Sequence, residues 1–339
     1  MESTIFGLDL AKRIFQLHWV DRETGEICRR QLKRGQVAEF FVNREPGMIA
    51  MEACGSAHYW ARTFTTLGHE VHLIAGQFVR PFVKSNKTDA ADAQAIWEAA
   101  QRPGMKFVSV KSEAQQAVLT LHRMRSPLVK IRTMQVVQLR GLLYEFGADL
   151  PQGRQRGMDR IPSELEELSE RLPAMVIEAL REQLKRVADL GEDIAEIERK
   201  LTAWKKEGRA AKKLMAIPGV GLLAATAAVA TVGDVTVFKN GREFAAFVGL
   251  VPRQSGTGGR VKLLGISKRG DVYLRTLLIH GARAVITHAK HREEWLSKLL
   301  ARRPLNVAVV ALANKMARTI WALLAHDRTY QRGYVALVT

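Results

Sequence analysis

The chain has 339 residues, of which 47% are hydrophobic, so it is long and apolar enough to fold into two or three domains. Its 52 Lys and Arg residues outnumber its 34 Asp and Glu residues and give a formal net charge of +18, which favours a polyanionic partner such as nucleic acid. The basic residues are interspersed along the chain and form no single amphipathic tail, which argues against a membrane surface as that partner. A basic protein without a polyanionic partner stays an alternative.

The N-terminal segment has an acidic residue near its start and polar residues within its apolar run, so it does not resemble a signal peptide. Two cysteines, Cys28 and Cys54, are too few for a disulfide framework or a zinc site. We therefore expect a cytoplasmic protein.

Residues 1–110 alternate between strand and helix patterns. Three strand-like runs come first, TIFGLDLA, RIFQLHWVD and ICRRQLKR, and QVAEFFVNR then has helical spacing. The strand MIAME, the helix SAHYWARTFTTLG, the strand EVHLIAG and a helix near Thr88 follow. This β-β-β-α-β-α-β-α order predicts an α/β domain with a mixed sheet, helices on its faces and a meander of the first three strands.

Residues 111–206 are predicted to form an extended helical region. Apolar residues recur at three- and four-residue steps with charged residues between them, and a bend is expected at Pro127. The pattern favours a coiled-coil arm that mediates oligomerisation, and a compact helical bundle is the alternative.

Residues 207–339 are predicted to form a third, mainly helical domain that is both basic and apolar. Its segment 214–233 is long and uncharged, which raises the question of a transmembrane span. However, most of its apolar residues are alanines, and Pro218, Gly219 and Gly221 cluster near its start. These residues favour a tight turn between two helices.

Acidic residues stand at unusual positions in the first domain. Asp9 lies in the strand run IFGLD, where an unpaired buried charge is costly, and Glu52 ends the strand MIAME. The first and fourth strands can lie side by side in such a sheet, which brings these two acids together. Asp89 and Asp92 then add oxygens from one helical face. Four hard oxygen ligands on rigid elements suit Mg²⁺ or Mn²⁺, and two such ions can activate a water and stabilise a leaving oxygen at a phosphate.

Each acid also has an ordinary explanation. Asp89 and Asp92 could complement the positive end of their helix, Asp9 could pair with Lys12, and Glu52 could start a helix. Taken together with the strand order and the positive charge, the four acids favour a nuclease-type metal site.

A glycine-rich turn opens the third domain. AIPGVGLLAATAAVA resembles a helix-hairpin-helix element, in which Gly219 and Gly221 let backbone N–H groups approach a phosphate. Such an element contacts the nucleic-acid backbone and does not read sequence. A plain turn between two helices is the alternative.

An irregular loop rich in glycine and serine follows. Its hydroxyl groups, on Ser255 and Thr257, stand among cations. It could bind phosphate passively, or it could present a serine nucleophile whose attack on a phosphodiester is helped by the positive charge. No histidine is adjacent to Ser255 in sequence to act as a base. The cations expected to bind nucleic acid here are Arg253, Arg260, Lys262, Lys268 and Arg269.

The order of motifs along the chain is distinctive. FGLDLAK surrounds Asp9, MEACGSAHYW contains Glu52, and NKTDAADAQAI contains Asp89 and Asp92; IPGVG, FAAFVGLVPRQSGTGG and GISKRGDVYLRTLLIHGARA follow. These motifs resemble the DEDD transposases of bacterial insertion sequences, a family of bridge-RNA-guided recombinases. The resemblance spans nearly the whole chain and is least distinctive in the helical middle. It implies, for residues 1–110, a variant of the ribonuclease H fold like that of the Holliday-junction resolvases.

The resemblance also implies roles for individual residues. In that family the four acids bind Mg²⁺, and the matching positions here are Asp9, Glu52, Asp89 and Asp92. The family's C-terminal domain supplies a serine that attacks DNA and forms a covalent intermediate.

Three hydroxyl-bearing residues match that serine to different degrees. Ser255 followed by Gly256 fits the family's Ser-Gly pair best. Because the loop differs in length among members, Thr257 is an alternate, and Ser267 in GISKRGD is a third candidate.

The partners implied by the resemblance are double-stranded donor and target DNA and a structured noncoding guide RNA whose loops pair with both. Family members form dimers and tetramers with active sites composed from different subunits. We therefore expect an RNA-guided recombinase that moves its own insertion sequence, has no membrane partner and associates with the nucleoid when bound to DNA. The alternatives are a metal-dependent junction-cleaving nuclease in which Ser255 only positions phosphate, and a nonenzymatic nucleic-acid-binding protein.

Overall fold

The computed structural model describes residues 3–83, 88–289 and 293–331. The chain divides into two compact units. The first comprises Met1–Gln115 and Thr231–Lys239, and the second comprises Gln116–Ala230 and Asn240–Thr339. The division into three domains at residues 110 and 206 stays a prediction.

The first unit contains the sheet. Its strands are β1 Ile5–Leu10, β2 Ile14–Val20, β3 Ile27–Lys33, β4 Met48–Glu52, β5 Glu70–Ile74 and β6 Phe107–Val108. Its helices are α1 Val37–Val42, α2 Ala57–Thr66, α3 Gly76–Val79 and α4 Asp89–Ala100. The predicted order of strands and helices is confirmed, and the short α3 and β6 are additions to it.

The strands are arranged in the order β3-β2-β1-β4-β5-β6. The first three form the predicted antiparallel meander, β1, β4 and β5 run parallel, and β6 returns antiparallel to β5. The mixed sheet is therefore confirmed, and so is the expectation that the first and fourth strands are neighbours.

Side chains of the central strands alternate between the two faces of the sheet. Phe6 and Leu8 of β1 and Met51 of β4 pack into the core that contains residues of α1 and α2. Ala50 of β4 packs on the opposite face with residues of α4. By this alternation Asp9 in β1 and Glu52 in β4 belong to the α4 face.

Helix α4 lies very close to β1. A Cβ atom on Gly7 would stand 2.6 Å from the Trp97 Cβ and would also collide with the Ala93 carbonyl oxygen, so only glycine fits. The Trp97 indole N–H donates a hydrogen bond to the Ile5 carbonyl at 3.1 Å. Because Trp97 lies beside the start of β1 and Ala93 lies further along it, α4 runs antiparallel to β1 and begins at the strand's carboxyl end.

The rest of the described chain is mainly helical. Its helices are α5 Glu113–Glu145, α6 Arg154–Ser169, α7 Ala174–Glu207, α8 Arg209–Leu214, α9 Leu222–Val232, α10 Gly241–Phe247, α11 Val272–His288, α12 Glu294–Arg302 and α13 Leu305–Ala325, and its strands are β7 Pro252–Thr257 and β8 Arg260–Ile266. Helix α5 continues through Pro127. A helical character for this region is confirmed, and the coiled coil stays a prediction.

A polar network is buried in the second unit. The His122 side chain of α5 is 1% exposed, and its ring nitrogens lie 3.0 Å from the Tyr273 hydroxyl of α11 and 3.0 Å from the Thr226 hydroxyl of α9. Burial, with a smaller contribution from Arg125, lowers the pKa of His122 to about 4. The neutral imidazole thus joins three helices.

The alanine-rich segment 214–233 contains a turn and then the 11-residue α9, as the sequence predicts. Among the described residues, α13 is long and apolar enough to cross a membrane by length and composition. However, Ala313, Met316, Ala317 and Ile320 of α13 are fully or almost fully buried in the second unit, as in a core helix.

Candidate catalytic site

Two carboxylates lie at the same edge of the sheet. The parallel register pairs Leu8 of β1 with Met51 of β4, so Asp9 and Glu52 occupy the next position on adjacent strands. Both follow the alternation that points side chains to the α4 face. The sheet therefore brings together two acids that are 43 positions apart in the sequence.

Two more carboxylates come from the first turn of α4. The Thr88 hydroxyl caps this helix by accepting a hydrogen bond from the Ala91 N–H at 3.2 Å, and Asp89 and Asp92 follow. Carboxylate oxygens of Asp9, Asp89 and Asp92 lie within 4.8 Å of one another. The helix dipole accounts for acids in this turn, but it does not explain why Asp9 faces them.

The cluster has unusual electrostatics. Burial raises the pKa of Asp9 to about 6, with further contributions from the charges of Asp92, Asp89 and Glu52. Among the described residues, no ion pair joins Asp9 to Lys12, so that explanation of Asp9 is wrong. Like charges gathered around a half-buried carboxyl group are unfavourable unless a cation or a proton compensates them.

The donor set fits a divalent metal ion. Its side-chain donors are all carboxylate oxygens, the ligands preferred by hard cations such as Mg²⁺ and Mn²⁺. Asp9, Asp89 and Asp92 form the compact group, and Glu52 lies near enough for its charge to raise the pKa of Asp9.

Gly76 leaves room for the Glu52 carboxylate. A Cβ atom at Gly76, the first residue of α3, would lie 3.0 Å from the Glu52 Cδ and closer still to its Oε1. Glu52 ends β4 and α2 begins only at Ala57, so the suggestion that Glu52 starts a helix is wrong.

Ser255 lies in a β-hairpin whose register shifts between Pro252 and Gln254 and is continuous from Gln254 to the turn, so the prediction of an irregular loop is wrong. Strands β7 and β8 pair around Gly258 and Gly259, whose φ angles of +55° and +77° suit a two-residue turn with two left-handed positions. The register pairs Ser255 with Lys262 and Thr257 with Arg260. Both hydroxyls and both cations therefore share one face of the hairpin.

The hairpin and the segment after it are largely exposed to solvent. Arg253, Arg260 and Lys262 are exposed, as are Lys268 and Arg269 further on. Ser267 is half-buried, and its hydroxyl lies 3.5 Å from the Arg269 N–H. The cations expected at this segment are thus placed where a polyanion can reach them.

Comparison with known proteins decides the family. The profile described as transposase of the DEDD IS110 type matches residues 6–147, and that of the IS116/IS110/IS902 transposase family matches residues 211–296. The chain is 51% identical to a probable family 20 transposase of Pseudomonas aeruginosa, over 98% of this chain and 100% of the relative. The chain belongs to the IS110 family of transposases. Identity is 44% to the transposase for insertion sequence element IS1111A of Coxiella burnetii, over 97% of this chain and 92% of the relative. It is 39% to the transposase for IS1328 of Yersinia enterocolitica, over 97% of this chain and 99% of the relative.

The resemblance in the motifs is thereby confirmed. The transposase is an enzyme that acts on DNA, and the profile matches include the acid cluster and the serine hairpin.

Arg275 of the transposase supports the hairpin and was missed in the sequence. Arg275 is 7% exposed, and its Nη1 donates 2.9 Å hydrogen bonds to the carbonyls of Val248 and Arg269, one on each side of the hairpin. An arginine in an amphipathic helix pattern is ordinarily a solvent-exposed residue. The only sequence signal was its position just after the glycine-rich segment.

The glycine turn of the transposase has a packing role at one position. Gly219 has a φ of +83°, and a Cβ atom there would lie 2.7 Å from the Gly281 carbonyl oxygen of α11. Gly221 is exposed, with open space where a Cβ atom would stand. Helix packing explains Gly219 by itself, and phosphate binding by this turn stays a prediction.

Proposed function

We propose that this transposase excises and inserts its own insertion sequence by serine attack on DNA phosphodiesters, assisted by Mg²⁺ and directed by a guide RNA. The observation that supports the proposal most strongly is the acid cluster at the edge of the sheet. Three carboxylates lie within 4.8 Å of one another, and they come from a strand and a helix that a glycine contact holds together.

The four acids have a binding role in this proposal. Asp9, Asp89 and Asp92 would hold the metal ion, and Glu52 would complete its ligands from the neighbouring strand. Bound Mg²⁺ supplies positive charge that offsets the charge developing on a phosphate and its leaving oxygen. Because β1, β4 and α4 fix the backbone of these residues, little reorganisation is needed when DNA arrives.

Ser255 has the role of nucleophile, supplied by another subunit. Its Oγ would form a bond to the phosphorus of the scissile phosphodiester while the bond to the leaving strand's oxygen breaks. The serine loses its proton and the leaving oxygen gains one. Lys262 and Arg260, on the same face of the hairpin, would stabilise the charged phosphate during this step.

A guide RNA and an assembly of dimers into a tetramer complete the proposal. The net charge of +18 supports extensive phosphate binding. Sequence choice would then be delegated to base pairing between the RNA and the donor and target DNA, as in other RNA-guided systems. This division of labour suits exposed arginines and lysines, because contacts to phosphate position a nucleic acid without reading its sequence.

The serine step is tested by trapping the covalent protein–DNA adduct with end-labelled DNA that carries the insertion-sequence ends. We expect an adduct with the wild type in Mg²⁺, none with Ser255→Ala, and none with Asp92→Asn. Thr257→Ala is the matched control on the same face and should retain the adduct. If Ser255→Ala cleaves DNA normally and wild type forms no adduct, the protein is a metal-dependent nuclease and the serine role is wrong.

The guide is tested by purifying the transposase and sequencing the RNA bound to it. We expect one structured RNA from the noncoding end of its own element. Recovery of random cellular RNA alone would contradict RNA guidance. Unchanged DNA processing by Asp89→Ala/Asp92→Ala would contradict a catalytic role of these acids.

A further inference from the structure

A large cleft lies within the second unit, and neither the acid cluster nor the serine hairpin lines it. It has a volume of about 1520 Å³ and lies between α10, α12, α13 and the segment that follows α13. Pockets for small molecules measure roughly 300–1,000 Å³, so this cleft is large enough for a segment of a polymer.

One face of α13 forms the wall of the cleft. Lys315, Arg318 and Ala322 line it and recur at helical spacing, whereas Met316 and Ile320 are buried on the other side. The helix is thus apolar toward the protein core and basic toward the cleft.

Aromatic rings also line the cleft. Trp295 and Trp321 are partly exposed there. The Trp295 indole N–H donates a hydrogen bond to Glu293, and the Lys315 ammonium lies 4.7 Å from the centre of the Trp295 ring. Partly exposed indole rings beside cations are the components with which proteins stack unpaired bases and hold their phosphates.

Two of the arginines that line the cleft have no acidic partner among the residues that the structure describes. Among the described residues, no ion pair involves Arg242 or Arg318. Each acidic residue lining the cleft has instead a lysine partner: Glu293 with Lys315, Glu294 with Lys298, and Asp327 with Lys213.

The two arginines are also neighbours. A Cβ atom on Gly241, at the start of α10, would lie 3.1 Å from the Arg318 Cα, so the residue after Gly241, Arg242, begins close to Arg318. A phosphate group that enters the cleft can accept charge-assisted hydrogen bonds from guanidinium groups that have no acidic partner.

We propose that this cleft binds an unpaired segment of nucleic acid, with Arg242 and Arg318 on its phosphates and Trp295 and Trp321 stacking on its bases. The choice of nucleic acid as the partner rests on the proposed function. A duplex is excluded as the ligand because its bases stack on one another and do not offer their faces to a concave aromatic site.

The test measures binding of the full-length protein to fluorescein-labelled oligouridine by anisotropy. We expect Arg242→Gln/Arg318→Gln and Trp295→Leu/Trp321→Leu each to weaken binding about tenfold or more. The matched control is Arg302→Gln/Arg303→Gln, an exposed pair in the same unit outside the cleft, which should weaken binding about twofold or less. The affinity for an oligomer of abasic sugars should not change in the tryptophan variant. The affinity for an oligouridine–oligoadenosine duplex should not change in any of the three double variants.

Wild-type affinity for oligouridine in both cleft variants would overturn the inference. An equal loss of affinity in the control variant and the cleft variants would overturn it too. Because the arginine variant changes only exposed or cleft-facing side chains, it keeps the test valid if the tryptophan variant fails to fold. DNA cleavage in Mg²⁺ is measured on the same preparations. If the cleft variants cleave DNA normally and bind oligouridine as the wild type does, only the proposal for the cleft is contradicted. If the wild type does not cleave DNA, the proposed function is contradicted.

Discussion

Asp9 is both partly buried and close to the other three carboxylates of the site. It lies in a central strand and faces α4. Its burial, with further contributions from the charges of Asp92, Asp89 and Glu52, raises its pKa to about 6. Stability alone gives no reason to gather four acids at one edge of a sheet. A perturbed pKa combined with this geometry is typical of a functional site, and a divalent cation would relieve the repulsion.

Gly76→Ala is predicted to displace the Glu52 carboxylate while the fold is retained. The new methyl group would occupy the position of a flexible side-chain end, so the free energy of unfolding should change by less than about 1 kcal/mol. DNA cleavage should nevertheless fall about tenfold or more, because the carboxylate proposed to complete the metal ligands moves. Cleavage rates and urea denaturation of the same samples check this prediction.

Gly55→Ala is the matched control, since a Cβ atom there would meet open space. Equal activity of the two variants would show that Glu52 does not need its present position.

At this scale the sequence predicts the four acids but not the residues that support them. Asp9 and Glu52 could be found because strand order and side-chain alternation bring them together. Gly76 and Arg275 could not be found in this way. The space that Gly76 leaves and the hydrogen bonds of Arg275 involve residues that are distant in the sequence.

Helix α4 is the element that completes the acid cluster. Its alanines allow close approach to β1, and its first turn is capped by Thr88. The sequence predicts the helix and its two acids, whereas its distance from the strand is set by Gly7.

Gly7→Ala is predicted to push α4 away from β1. The added methyl group would meet backbone atoms of Ala93, which cannot rotate away, so the protein should lose about 1–3 kcal/mol of stability. Metal-dependent cleavage should fall more steeply than the folded fraction, because Asp89 and Asp92 move with the helix. Gly35→Ala, where a Cβ atom meets open space, is the control for circular dichroism melts and cleavage rates. Wild-type activity in Gly7→Ala would contradict this dependence.

The network around His122 makes the stability of the second unit depend on pH. Its pKa is 6.5 in the unfolded chain and about 4 in the folded one, so the unfolded state binds the proton first as the pH falls. Stability should therefore be full above pH 6.5 and be lost progressively down to about pH 4, by up to about 3 kcal/mol.

The contribution of His122 is isolated by comparing His122→Gln with the wild type in urea at several pH values. The difference between them should shrink as the pH falls, because only the wild type must keep this imidazole neutral. The exposed His280→Gln should follow the wild type at every pH. Parallel pH profiles of wild type and His122→Gln would contradict the prediction.

The serine hairpin is an element that the sequence pattern did not predict. The segment SGTGGRVKL contains Gly-Gly between strand-forming residues, which is a signal for a two-residue hairpin turn, but its many glycines favoured an irregular loop. Val261 and Leu263 are 65% and 62% exposed, so apolar burial gives little indication of this pair of strands.

For the whole molecule, the net charge and the family both indicate a nucleic-acid partner. The excess of basic residues favours a nucleic-acid partner, and relatives that align over nearly their full length are transposases. The composition could predict the kind of partner, and the order of motifs could predict the family. The cleft beside α13 could not be predicted, since it depends on the packing of three helices and the segment after them.

We infer that the acids of β1, β4 and α4 form one metal-binding catalytic site. Its most direct test is a titration with Mn²⁺, a paramagnetic substitute for Mg²⁺, of wild type, Asp9→Asn, Asp92→Asn and the exposed Asp149→Asn by calorimetry and electron paramagnetic resonance. We predict that wild type and Asp149→Asn bind alike, that both site variants lose at least about tenfold in affinity, and that metal-free Asp9→Asn melts at a higher temperature because its repulsion is gone. Equal Mn²⁺ binding by all four proteins would show that Asp9 and Asp92 are not metal ligands.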